Sequence, residues 1–289
     1  MFNRFFLSLA TFVIVFTSCN QVKKTPGGIE YKIIKAGNGT RIAGGDMVFF
    51  KLIAKNADSV IMNSANSSEF GNYRAQINEK FVQGNFDEVM TMLGPDDSAF
   101  FKINADTFYL NYFHQPTPAF IKKATTVDFY VHIDSVITKA TMDARKLETE
   151  KKNKEKEAAE PALIEEYVKN SGKNFTKTAS GMYYLVTKKT SGKLPASGDM
   201  ISANYTGMLF NGTVFDTNTK SGKPFEFALG GHQVIAGWDE AFALLHEGET
   251  ATLVIPSSLA YGSQNAGPEI GPFTPLVFDV ELLKITKSK

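Results

Sequence analysis

The sequence carries one three-part pattern twice, which predicts two related domains. In each copy, Gly-Asp-Met opens a strand with alternating apolar residues, a helical segment has apolar residues at i, i+3, i+4 and i+7, and a final alternating strand follows. The copies pair 45–48 with 198–201, 86–93 with 238–245, and 127–133 with 276–282. A chain of 289 residues is long enough for two domains of this kind.

The N-terminus has the features of a bacterial lipoprotein signal. A positively charged start precedes an apolar run at 5–16, which is shorter than the roughly 20 residues that a membrane-spanning helix needs. Phe-Thr-Ser then precedes Cys19, an arrangement that resembles the lipobox. We predict a signal peptide at 1–18, a tether at 19–27 and lipidation of Cys19; a plain secretory signal with an incidental cysteine is the alternative. Because Cys19 is the single cysteine, no disulfide can form within the chain.

The segment between the copies, 139–177, is rich in Lys, Glu and Ala and predicts a charged helix. Glu148 and Lys152 form one of two i, i+4 pairs in the favourable order. Pro161 is expected to end this helix or to begin a second one at 162–170. Because the segment lacks a sustained apolar seam, the pattern favours a solvated spacer arm over a dimerising helix.

The second copy combines strand, turn and helix signals with a cluster of aromatic side chains. Asn211-Gly212 is the strongest two-residue hairpin signal, and Pro256 ends a later alternating strand. The aromatic residues surround one carboxylate, Asp216, and no nucleophile, metal cluster or phosphate loop accompanies them in the sequence. Such residues can line a dry pocket for an apolar ring. The formal net charge of +1 gives no overall field that would attract nucleic acid.

The order of these residues resembles the FKBP family of peptidyl-prolyl cis-trans isomerases. The likeness runs from about residue 181 to about 285, through Tyr205, Asp216 and Trp238. It implies an α+β fold for 178–287, an antiparallel sheet wrapped around a short helix. It also implies an activity, the rotation of X–Pro peptide bonds, that needs neither a cofactor nor a metal ion.

The resemblance further implies a role for each pocket residue. Trp238 would form the floor beneath the proline ring, Asp216 would place negative charge near the twisting carbonyl carbon, and the Tyr261 hydroxyl would donate to a substrate carbonyl. The backbone N–H of Ile235 would donate to a second carbonyl. The residues implied for catalysis are Phe215, Asp216, Trp238 and Tyr261, and those for substrate binding are Tyr205, Phe225, Val234, Ile235, Ile270 and Phe278.

The first copy, 28–138, is predicted to share the fold without the activity. Its counterparts to the wall tyrosine and to the Phe-Asp pair are Leu52, Ile61 and Met62, and Phe86 replaces the tryptophan, whereas Tyr109 and Phe129 match their counterparts. Losing the carboxylate argues against catalysis. Either peptide binding in an apolar pocket or a structural, partner-docking role remains open. The segment 112–120 is predicted to be a loop.

The partners and location follow from the same resemblance. The expected ligands are proline-containing client polypeptides and macrolide inhibitors, with the membrane reached through Cys19 and no role for nucleic acid. Because Asn20 stands where an inner-membrane retention signal would have aspartate, we expect an outer-membrane anchor facing the periplasm. The alternative function is a lipid-anchored chaperone or assembly factor that holds clients without turnover.

Overall fold

The computed structural model describes residues 21–67, 71–121 and 125–288. The predicted signal peptide and Cys19 lie outside these residues. The chain divides into two compact units, a first unit that ends at Arg145 and a second unit that begins at Lys146. No helix in the described ranges is both long and apolar enough to cross a membrane.

The first unit is an antiparallel sheet with a short helix packed on it. Its strands are β1 (Lys23–Lys24), β2 (Glu30–Lys35), β3 (Met47–Asn56), β4 (Ser59–Asn63), β5 (Tyr73–Gln76), β6 (Ser98–Asn104) and β7 (Thr126–Ile137). Its helices are α1 (Ser64–Ser67), α2 (Phe86–Thr91) and α3 (Ala105–Phe108), and a π-helical turn follows at Tyr109–Phe113. The strand order is β1-β2-β6-β7-β3-β4, and β5 pairs with β3. The predicted loop at 112–120 is therefore wrong at its start, because Tyr112 and Phe113 lie in the π-helical turn.

The second unit repeats this sheet strand for strand. Its elements are the end of α4 (Lys139–Asn170), then β8 (Thr176–Lys177), β9 (Tyr183–Lys188), β10 (Met200–Met208), β11 (Val214–Thr217), β12 (Phe225–Ala228), α5 (Ala236–Phe242), β13 (Thr250–Ile255), a 3₁₀ turn at Ser257–Leu259, and β14 (Leu276–Thr286). The order β8-β9-β13-β14-β10-β11, with β12 on β10, matches that of the first unit. The prediction of two α+β domains of one fold is confirmed.

The strand registers fix which residues of the two units are equivalent. Ala54 of β3 pairs with Phe129 and with Met62, as Gly207 of β10 pairs with Phe278 and with Asp216. Two residues earlier on the same strands, Leu52 therefore takes the place of Tyr205, as the sequence predicted. On both strands apolar residues alternate into the core, as a sheet with one covered face requires.

The repeated Gly-Asp-Met pattern marks one turn that both units use. Gly45 and Gly198 have φ values of 90° and 89°, which a residue with a side chain adopts only with strain. The carboxylate that follows is buried in each unit. Asp46 accepts the Ala43 N–H at 2.9 Å, and Asp199 accepts the Ala196 N–H at 2.8 Å. The pattern thus sets the entry into β3 and β10.

Helix α4 corrects the prediction for Pro161. The helix runs without a break from Lys139 to Asn170, with Pro161 inside it. An interior proline costs about 3 kcal/mol, and packing of the turns around it offsets that cost. Ile164 is buried with Tyr183 and Val254 of the second unit. The prediction of a solvated spacer arm is wrong for this part of the helix.

Candidate active site

Four aromatic rings of the second unit form an open box. Trp238, on the first turn of α5, is only 4% exposed. Tyr205 of β10, Phe225 of β12 and Phe278 of β14 stand nearly perpendicular to its indole, at 77°, 83° and 82°, with centroid distances of 5.0, 5.9 and 5.4 Å. Such edge-to-face contacts are a favoured geometry for aromatic pairs. Phe215 of β11 extends the wall at 90° to Phe278.

The box encloses a cavity of about 200 Å³ that opens to solvent. Its lining is mostly apolar, and it consists of Tyr205, Phe215, Asp216, Phe225, Gln233, Val234, Ile235, Trp238, Tyr261 and Phe278. The structure thus brings together nine of the ten pocket residues that the sequence named. It places the tenth, Ile270, in the core, 4% exposed and outside this lining. The Ile270 carbonyl accepts the Ala266 N–H at 2.9 Å, which closes a turn that directs the isoleucine inward.

One polar pair interrupts the apolar lining. The Tyr205 hydroxyl donates to Oδ2 of Asp216 at 2.7 Å, across the β10–β11 pair. Burial, and then the hydrogen bond to this carboxylate, raise the pKa of Tyr205 to about 12. Asp216 itself is exposed at the mouth of the cavity. The site therefore offers a hydrogen-bonded carboxylate beside an apolar surface.

Two further donors lie at the rim. Tyr261 follows the 3₁₀ turn at Ser257–Leu259 and is 39% exposed. It lines the same cavity as Tyr205. Ile235 is the N-cap residue of α5, and its carbonyl accepts the Trp238 N–H at 2.9 Å. This turn sets the indole beneath the opening.

Two residues that the sequence did not single out, Thr217 and Asn218, hold Tyr205 in place. Asn218 accepts the Tyr205 N–H at 2.8 Å and donates to the Ala203 carbonyl at 2.9 Å. The Thr217 hydroxyl donates to the Tyr205 carbonyl at 2.9 Å. The available signal was an Asn directly after a strand, a residue whose side chain often bonds to nearby backbone.

Gly207 has a spatial role in the same wall. A Cβ atom at this position would lie 2.6 Å from Phe215 Cζ and 2.8 Å from Phe278 Cε1. The missing side chain is therefore what allows the two rings to meet over β10. Gly237 similarly lets Ile255 approach the start of α5, because its Cβ atom would lie 2.5 Å from Ile255 Cγ2.

The first unit has a smaller cavity at the equivalent place, about 120 Å³. Leu52 and Met62 occupy the positions of the polar pair, and none of the described residues that line this cavity carries a carboxylate. Tyr112 from the π-helical turn packs edge-on against Phe86 at 5.8 Å and thereby covers the equivalent of the indole floor. Among the described residues of either unit, no group of three or more His, Cys, Asp or Glu side chains could hold a metal ion.

Comparison with known proteins agrees with this geometry. The family of FKBP-type peptidyl-prolyl cis-trans isomerases matches residues 192–283. FK506-binding protein 1 of Dictyostelium discoideum is 44% identical over 103 residues, which are 36% of this chain and 96% of that protein. The chain belongs to the FKBP-type peptidyl-prolyl cis-trans isomerase family.

Bacterial relatives match over a longer stretch. The probable FKBP-type peptidyl-prolyl cis-trans isomerase FkpA of Neisseria meningitidis serogroup B is 48% identical over 135 residues, 47% of either chain. The outer membrane protein MIP of Legionella longbeachae is 35% identical over 154 residues, 53% of this chain and 64% of that protein. The match therefore spans about half to two thirds of the length of these two relatives.

Proposed function

We propose that the second unit catalyses cis-trans isomerisation of X–Pro bonds in folding envelope proteins. The observation that carries this proposal is the open aromatic box with a single charged edge, formed by Tyr205 and Asp216. The domain we assign to this activity is 178–287, preceded by the linker 139–177, and the related first domain is 28–138.

Catalysis here requires no bond to break. Rotation about an X–Pro bond faces a barrier of about 18–20 kcal/mol, because the planar amide is stabilised by resonance. An apolar pocket removes the water that favours the planar, polar amide, and it grips the proline ring while the acyl side turns. In our proposal Trp238 is the floor for that ring, with the aromatic walls around it.

The polar groups act on the twisted amide. The carbonyl carbon of the twisted form has lost electron density from nitrogen, so the negative charge of Asp216 stabilises it more than the planar form. The bond from Tyr205 holds this carboxylate in place. The Tyr261 hydroxyl and the Ile235 N–H donate to substrate carbonyls on either side of the proline. Phe215 adds apolar surface to the edge of the pocket next to Asp216.

The ligands we propose are apolar-X–Pro segments of client polypeptides and, as inhibitors, macrolides that present a similar ring. The relative named FK506-binding protein 1 supports the second class. The cavity of the first unit differs from that of the second: it is smaller, and Leu52 and Met62 stand at the positions of Tyr205 and Asp216. We propose that the first domain holds clients or a partner rather than turning over substrate.

The surface of the first domain favours a second function for the chain, which is to hold client polypeptides. Its segment after β6 exposes large apolar side chains, with Leu110 63% and Phe120 74% exposed. Exposed apolar side chains of this kind can contact apolar stretches of a client polypeptide. A chaperone that binds without turnover remains the alternative for the whole protein, and the two functions are compatible in one chain.

We propose that the chain is anchored to the bacterial envelope by a lipid on Cys19, at the outer membrane and facing the periplasm. The charged start, the short apolar run and the small residues before Cys19 support this, as does the outer-membrane name of the Legionella relative. Partitioning into detergent should be lost in Cys19→Ala. A mature N-terminus found by mass spectrometry at any other residue would overturn the assignment.

The isomerase proposal is tested with the full chain and an apolar-X–Pro peptide. The rate of cis-trans exchange, measured by nuclear magnetic resonance, should rise with protein concentration. Trp238→Ala and Phe215→Ala should each lower that rate at least tenfold, whereas Ile61→Ala, at the position of the first unit that corresponds to Phe215, should leave it unchanged. A folded protein that gives no acceleration would refute the proposal.

A further inference from the structure

Glu160 of helix α4 is a buried carboxylate that the catalytic proposal does not use. It is 8% exposed, and Ser257, which it faces, is 2% exposed. One carboxylate oxygen accepts the Ser257 N–H at 2.5 Å, and the other accepts the Ser257 hydroxyl at 2.6 Å. A buried carboxylate is tolerated when such donors replace its water. This contact ties the helix to the start of the 3₁₀ turn.

That turn leads directly to the pocket. The Ser257 carbonyl accepts the Ala260 N–H at 2.9 Å and the Gly262 N–H at 2.8 Å, so Tyr261 stands between two residues that are bonded to Ser257. Hydrogen bonds on both sides restrain the main chain at Tyr261, and with it the point from which its side chain extends. Moving Ser257 would therefore move Tyr261.

The helix is held in place by more than one contact. Four residues after Glu160, Ile164 is 4% exposed and packs on Val254 of β13. One turn further on, Tyr167 stacks on Phe210 with a centroid distance of 4.2 Å and an angle of 19°. These spacings of four and seven residues place Glu160, Ile164 and Tyr167 on one face of the helix. The carboxylate therefore sits on a rigid support.

We infer that Glu160 is a positioning residue, which holds the Tyr261 hydroxyl at the pocket through Ser257. The segment before residue 178 then contributes to the proposed catalysis. This inference rests on the proposed isomerase function for its effect on rate. Its effect on Tyr261 itself is independent of any activity.

The test uses the full chain with Glu160→Ala, Glu160→Gln and Glu157→Ala. Glutamine can accept the Ser257 N–H and donate to the Ser257 hydroxyl, so Glu160→Gln should keep most of the function. Glu160→Ala leaves the Ser257 donors unpaired, and we expect kcat/KM for the peptide to fall about three- to tenfold. Glu157, exposed one turn earlier, is the matched control and should change nothing.

Two readouts separate positioning from a merely structural role. In ring-labelled tyrosine spectra without ligand, the Tyr261 signal, assigned with Tyr261→Phe, should shift in Glu160→Ala and much less in Glu160→Gln. In the Tyr261→Phe background, Glu160→Ala should cost less than a further twofold, since both changes remove one contribution. If Glu160→Ala unfolds the second unit, Ser257→Ala removes only the hydroxyl donor and should shift the same signal by a smaller amount.

An unshifted Tyr261 signal in Glu160→Ala, or a rate effect fully additive with Tyr261→Phe, would overturn the inference. A chain with no isomerase activity would refute the proposed function instead, and the Tyr261 signal would still decide whether Glu160 positions that residue.

Discussion

Tyr205 and Asp216 show how one hydrogen bond gives a polar edge to an otherwise apolar box. Partial burial, and then the 2.7 Å hydrogen bond to Asp216, favour the protonated hydroxyl of Tyr205. The pKa of Tyr205 in the folded protein, about 12, lies above its ordinary value of 10.0. The protonated hydroxyl therefore stabilises the folded unit below pH 10, and that contribution is lost as the pH rises from about 10 to about 12.

Replacing the carboxylate should be visible in this titration. Asp216→Asn is expected to lower the pKa of Tyr205 from about 12 towards 10.0 without reaching it, because burial, the larger cause, remains. Ring-labelled tyrosine spectra between pH 8 and 12 measure the value. Glu226→Gln, an equal loss of charge on β12, should leave it unchanged. An unaltered Tyr205 pKa in Asp216→Asn would show that the two side chains do not bond in solution.

Gly207 makes a second prediction at this scale. Gly207→Ala should push Phe215 away from Phe278, lower the isomerisation rate about tenfold, and destabilise the second unit by about 1–3 kcal/mol through overpacking. Gly271→Ala is the matched control, since its Cβ atom would approach nothing closer than 3.9 Å. Trp238 is the single tryptophan, so its fluorescence follows unfolding of the second unit alone. Equal stability and rate in both variants would contradict this account of the wall.

At the scale of elements, the sheet, the helix α5 and nearly all of the pocket could be predicted from the sequence, while the docking of α4 could not. Alternating strands and the Asn211-Gly212 turn are local signals. These local signals determine which side chains lie on the same face of the sheet as the pocket residues around Trp238. The position of Ile270 depended instead on how a long loop closes, which no local pattern states.

The sequence of α4 does not predict its docked face, and the reason is physical. It spans barely two turns, from Glu160 to Val168, and its first member is a carboxylate, so it gives no sustained apolar stripe. Its partners are remote in sequence: Tyr183, Phe210 and Val254. These remote contacts also explain why Pro161 lies inside α4 and does not end it: tertiary packing overrides the local preference of proline for a helix end.

Truncating one side chain tests this docking. Ile164→Ala should lower the free energy of unfolding of the second unit by about 2–4 kcal/mol, because a fully buried side chain is lost. Leu163→Ala, one residue earlier and 47% exposed, should change it by less than about 0.5 kcal/mol. Denaturant titrations followed by Trp238 fluorescence compare the two. Equal, small effects would mean that the helix is undocked in solution.

At the scale of the whole molecule, the two units carry one fold with different cavities. Deleting 28–138 should leave isomerisation of a short peptide within about twofold of the full chain, since the proposed site lies in the second unit. Proline-limited refolding of a whole protein should be slower with the truncated chain than with the full chain, because the proposed client-holding domain would raise the local concentration of the client at the second unit. Equal refolding rates for both forms would reduce the first domain to a spacer or docking element. Isomerase activity of that domain alone would refute its assignment.

The most direct test of the central claim replaces the polar edge of the second pocket with the residues found in the first. Tyr205→Leu with Asp216→Met introduces the counterparts Leu52 and Met62 and leaves Trp238, Phe225 and Phe278 unchanged. In the full chain, we expect catalysed exchange of an apolar-X–Pro peptide to fall at least a hundredfold, while the folded variant still binds the peptide within about tenfold of the original affinity. A variant that keeps its rate would show that the proposed catalysis does not depend on the polar edge.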